Sequence, residues 1–132
     1  MPSYITVDRL GAPRVAGGLC TTAVDLALVG QLFLDYGFTN GQQILPKNWL
    51  QDIQENGSRD AWLEGNFAEY FPNRDMHYRS KWYVDHGAND SKAELVFGLG
   101  VHGQNLFINF KNRIVIAKFS SQAVPPVSYT HL

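Results

Sequence analysis

Apolar positions recur with helical spacing early in the chain. Ala23, Leu26, Ala27, Val29, Leu32, Phe33 and Tyr36 trace a stripe of period 3.6, which Leu28 and Leu34 widen. They predict a helix over Thr22–Tyr36, so apolar all round that it is buried on most sides. Thr22 and Asp25 have capping-box spacing, in which hydroxyl and carboxylate each take an unpaired N–H of the first turn. Gly37 is the expected stop, because glycine adopts the left-handed conformation readily. Asn40-Gly41 marks a turn. Trp49, Leu50 and Ile53 then predict a second helix over residues 46–56, with Pro46 at its first position and Gly57 at its end.

Period two takes over later. Tyr78–Val84, Leu95–Val101, Gln104–Phe110 and Arg113–Phe119 each read as one strand, the last rich in β-branched residues. Lys111-Asn112 suits a tight hairpin. Residues 1–18 read as irregular and residues 58–77 as a surface excursion. Helices first and a strand meander after predict an α+β fold, with helices packed on one face of an antiparallel sheet and no alternating βαβ units.

Composition supports a packed core. Apolar residues make up 45% and charged residues only 17% of the 132, which excludes a disordered chain. The net charge is -1, so no basic surface for nucleic acid is expected. Cys20 is the only cysteine, so there is no internal disulfide framework and no cysteine-rich zinc site. No apolar run is long enough for a membrane span, and Met1-Pro2-Ser3-Tyr4 does not open a signal peptide.

Candidate chemistry is sparse. Gly98-Leu99-Gly100-Val101-His102-Gly103 matches the letters of a dinucleotide loop, but strand follows it where a helix is needed. His102 lies between glycines at a strand start, where backbone can approach a ligand; a structural histidine fits the same pattern. His77 and His86, beside Asp75 and Asp85, read as solvated loop residues before they read as metal ligands. Cys20 near a helix start reads as packing before it reads as a reactive thiol. Tyr78, Arg79, Lys81, Trp82 and Tyr83 alternate basic and aromatic groups, a pattern that strand amphipathicity explains better than base stacking. No serine is followed three residues on by lysine, and no Tyr-x-Asn or Ser-x-Asn occurs.

Two blocks resemble the serine β-lactamase-like hydrolase family, which includes penicillin-binding proteins, class C β-lactamases and 6-aminohexanoate-dimer hydrolases. The first is Ala16-Gly17-Gly18-Leu19-Cys20-Thr21-Thr22-Ala23-Val24-Asp25-Leu26-Ala27, with Gly30-Gln31-Leu32 and the run Gly41–Pro46 after it. The second is Gly100-Val101-His102-Gly103-Gln104, with the strand through Ile116 and Ser120-Ser121. The resemblance implies acyl transfer by a serine that a lysine activates, with no cofactor and no metal. It places His102, Gly103 and Gln104 in the family's third motif. There His102 would polarise the site, and the strand backbone around Gln104–Asn105 would offer an oxyanion-hole N–H.

The expectation is therefore a partial domain over residues 1–124, the C-terminal portion of such an enzyme, inactive alone and serving a small amide or ester substrate in the intact parent. Residues 125–132 form a separate tail, whose end resembles translated sequencing adapter. Compartment and oligomeric state are left open. The competing expectations are a non-catalytic α+β binding module and a nucleotide-binding protein.

Overall fold

A computed structural model describes residues 3–87 and 93–123; the expected tail lies outside them. The chain opens with a short ladder, β1 (Tyr4–Ile5) against β2 (Leu19–Cys20), inside the stretch expected to be irregular. Helix α1 (Ala23–Leu34) follows. Thr22 Oγ1 accepts the Asp25 N–H at 3.0 Å, but the reciprocal half of the box is absent. The Asp25 carboxylate instead accepts the Ser3 hydroxyl at 2.7 Å. Gly37, at φ 79°, reverses the chain and donates to Leu32 O. A two-residue ladder, β3 (Phe38–Thr39) with β4 (Gln42–Gln43), leads to α2 (Lys47–Glu55), for which Pro46 is the cap residue and not the first helical one.

Residues 58–77 are not the featureless excursion expected. They hold α3 (Arg59–Leu63), capped by Ser58, and a 3-10 turn at Ala68–Tyr70. The meander follows as β5 (Met76–Arg79), β6 (Trp82–Asp85), β7 (Leu95–Gly100), β8 (Gln104–Asn109) and β9 (Ile114–Lys118), antiparallel and adjacent in chain order. The single strand expected over Tyr78–Val84 is thus a hairpin. Its turn residues Ser80 and Lys81 both take positive φ, 49° and 69°, which a two-residue turn of matching twist requires. Neither is glycine or asparagine, so the sequence carried no turn signal.

Side chains alternate across the sheet and build two clusters of different character. Val84, Val96 and Ile108 join Phe33 and Leu34 of α1 and Leu50 and Ile53 of α2 in an aliphatic core. Their neighbours Tyr83, Phe97 and Phe107 point the other way and pack with Trp62, Phe67, Phe71 and Met76. The helices therefore do not share one face: α3 lies opposite α1 and α2. Nor is α1 buried on most sides. Only Gly30, Phe33 and Leu34 are buried, while Val24 and Leu28 are 70% and 62% exposed. Gly30 marks the closest approach of α1 to the sheet, since a Cβ there would lie 2.4 Å from Val115 Cγ1. Among the described residues no helix is long and apolar enough to cross a membrane.

Candidate functional site

The glycine pattern joins β7 to β8 as an antiparallel hairpin, with a 3-10 turn at Val101–Gly103. No helix N-terminus follows it, so it lacks the geometry that holds a pyrophosphate. His102 occupies the turn itself and not a strand start, at φ 61° and ψ 20°. The neighbouring segment clamps this turn. His102 Nδ1 lies 3.0 Å from Gln122 O, and the Gln122 N–H returns to His102 O at 3.2 Å. A carbonyl oxygen only accepts, so Nδ1 carries a proton, and Nε2 is the ring nitrogen left facing away from this bond. The Gln104 amide makes a second two-point clamp: Nε2 donates to Ser120 O, and Oε1 accepts the Ser120 N–H at 3.1 Å. Gly103 takes φ 81°, the left-handed region that favours glycine, so a side chain there would be strained. The Gln104 N–H closes the turn onto Val101 O, and Asn105 pairs with Leu99 and Lys118 inside the sheet.

The turn opens on a cleft of about 1230 Å³. One side carries Ala16, Gly17, Leu19 and Thr21, from the first block. Another carries Leu99, Gly100, Val101, His102 and Gln104, from the second. Gly103 and Asn105 do not line it. Much of the rest is an aromatic wall in which Tyr83 stands at 6.3 Å from Phe67, 6.2 Å from Phe71 and 4.8 Å from Tyr78, centroid to centroid. Partial burial pushes the Tyr78 and Tyr83 phenols up, Tyr83 further through Tyr78, so both are neutral hydroxyls at neutral pH. The wall residues of 66–71 were missed in the sequence. The signal present was the density of Trp62, Phe67, Tyr70 and Phe71 in an otherwise polar stretch.

No family model matches the chain. Over 127 residues it is 34% identical to a 6-aminohexanoate-dimer hydrolase of Paenarthrobacter ureafaciens, a match over 96% of this chain and 31% of that protein. A solved structure from Bacillus anthracis, provisionally described as a 6-aminohexanoate-dimer hydrolase, superposes with a TM-score of 0.72 at 32% identity, over 95% of this chain and 29% of that one. The chain belongs to the serine β-lactamase-like hydrolase family. It spans about a third of the length of the relatives it matches.

The other candidate residues of this β-lactamase-like chain lie away from the cleft. His77 and His86 are not solvated loop residues: both are 1% exposed. His77 Nε2–H donates to Ile53 O at 2.7 Å, which leaves His77 Nδ1 to accept from His86 Nε2–H at 2.8 Å. This relay ties the end of α2 to the β5–β6 hairpin. Asp75 and Asp85 pair with Arg59 and Arg74, not with the imidazoles. Arg79 makes a two-point ion pair with Asp52 of α2, so it is not a free base-stacking cation. Cys20 is half-buried in β2, ahead of the Thr22 cap, with Sγ 4.0 Å from Gly18 O.

Proposed function

We propose that this chain is the C-terminal portion of a serine hydrolase that cleaves amide or ester bonds through an acyl-enzyme, and that its nucleophile and activating lysine lie outside these 132 residues. One observation carries the reading. Two sequence blocks some eighty residues apart, both resembling the family, line the same cleft. The name of the Paenarthrobacter relative supports a short linear amide as substrate.

In this reading His102 holds a hydroxyl proton at Nε2, belonging either to substrate or to a catalytic side chain, while Gln122 O fixes its tautomer. The clamps on His102 and Gln104 keep the motif pre-positioned, as electrostatic catalysis requires. For the backbone there to donate to a developing oxyanion, the Gln104 N–H exchanges Val101 O for it.

Covalent labelling tests the proposal. The isolated chain stays unlabelled by fluorophosphonate and by fluorescent penicillin. A reading frame extended upstream of Met1 carries Ser-x-x-Lys and is labelled at that serine. Stoichiometric labelling of the 132-residue chain at any of its own serines refutes it.

A further inference from the structure

A second cavity, of about 490 Å³, shares no lining residue with the cleft. It lies where the C-terminal ends of α1 and α2 meet the turn after β8, between Tyr36, Gln54, Glu55, Phe110 and the Glu94–Lys111 ion pair. Gln54 is its unusual member. The residue is only 8% exposed, yet its amide makes no hydrogen bond among the described residues. Neither amide atom is sealed from solvent. The accessible part of Gln54 thus includes its polar end, and the cavity is what it opens on. Buried polar groups nearly always have partners, so an amide held this way calls for one. Its neighbours on α2 are fixed: Ile53 O binds His77 at 2.7 Å, and Asp52 binds both Asn56 and Arg79. A carboxamide carries a donor and an acceptor side by side, and the edge that satisfies both is an N–H next to a C=O. Tyr36 and Phe110, with ring centroids 6.0 Å apart, add an apolar wall against which a planar ring can pack. Lys111 offsets Glu94 at 2.6 Å, while Glu55 has no ion pair among the described residues. The cavity therefore carries a net negative charge, which opposes anions.

We propose that this cavity is a binding site for a small neutral carboxamide borne on an aromatic ring. The amide edge of the ligand pairs with Gln54, and its ring lies along Tyr36 and Phe110. A ligand without the N–H satisfies only half of the Gln54 amide, and a carboxylate in its place also meets the charge of Glu55. The site involves binding alone and rests on neither the acyl-enzyme reading nor the cleft.

Titration of the full, isotope-labelled 132-residue chain with benzamide, N,N-dimethylbenzamide and benzoate tests it by NMR. The side-chain NH₂ signals of Gln54, identified by their loss in Gln54→Leu, report the contact directly. Benzamide moves them together with the backbone amides of Glu55 and Lys111. It binds about tenfold tighter than the dimethyl compound, the size expected of one hydrogen bond retained. Benzoate binds weakest. Gln54→Leu abolishes the preference for benzamide over its dimethyl analogue. Glu55→Gln narrows the gap between benzamide and benzoate severalfold and leaves benzamide affinity unchanged. Equal affinity for the three probes, an unchanged preference in Gln54→Leu, or Gln54 NH₂ signals that no probe moves overturns the site. Should Gln54→Leu fail to fold, the ranking of the three probes on the unaltered chain and the Glu55→Gln comparison decide the matter by themselves.

Discussion

His102 is held where few side chains rest. A non-glycine residue in the left-handed region costs about 1–2 kcal/mol, and the Nδ1–H bond to Gln122 O returns about 1 kcal/mol. The two terms nearly cancel, so His102→Gly should change unfolding free energy by less than about 1 kcal/mol in urea titrations. A loss beyond about 2 kcal/mol would mean that the imidazole is there for the fold. His77 is the opposite case. Burial, above all, holds its pKa below the ordinary imidazole value. The unfolded chain then takes up this proton at higher pH than the folded chain. Stability is full above about pH 6.5 and falls as pH drops through the folded-state value. Thermal melts should show a lower Tm at pH 5 than at pH 7.5; a flat or rising trend contradicts the neutral relay. The sequence singled out His102 and read His77 as a solvated loop residue. Which one was buried depended on α2, whose Ile53 carbonyl is twenty-four residues from His77, and local pattern does not carry such distances.

Elements with strong periodicity were legible. The α1 stripe and the last three strands appear within a residue or two of where the pattern put them. What failed was positional: the Ser80-Lys81 turn has no glycine to announce it, and α3 is too short to show a period. That turn yields a prediction of unusual sign. Ser80→Asn with Lys81→Gly suits both positive φ values and should stabilise the chain by about 1 kcal/mol. Gly30 yields the reverse. Alanine is the better helix former by about 1 kcal/mol, yet its Cβ would press on the branched Val115 side chain. Gly30→Ala should therefore destabilise by about 1–3 kcal/mol as α1 is pushed off the sheet. A net gain in chemical denaturation would show that the contact yields more easily than its geometry suggests.

Across the whole molecule, the α+β class and the family were legible, because both rest on patterns that survive along the chain. The division of helices between two sheet faces was not, since period two says that faces differ without saying what covers each. The apolar periodicity of α1 likewise said nothing about cover. Val24 and Leu28 lie exposed, with Tyr4, Ile5 and Leu19 also exposed on the preceding ladder. Val24→Lys with Leu28→Glu should change stability by no more than about 0.5 kcal/mol per site in chemical denaturation. A large stability loss would mean that these side chains are covered in solution.

The alternation along β8 couples the core to the cleft. Ile108 faces the aliphatic core and Phe107 the aromatic one. Displacing β8 by a single residue would exchange their destinations. Rings would be driven under α1, and branched aliphatics would replace the floor beneath Tyr83. A misthreaded chain would thus lose its core and its cleft in the same event, and a stably packed but cleft-less form has no register in which to exist. The short turns at Val101–Gly103 and after Asn109, which set that register, guard the cleft as much as they connect strands.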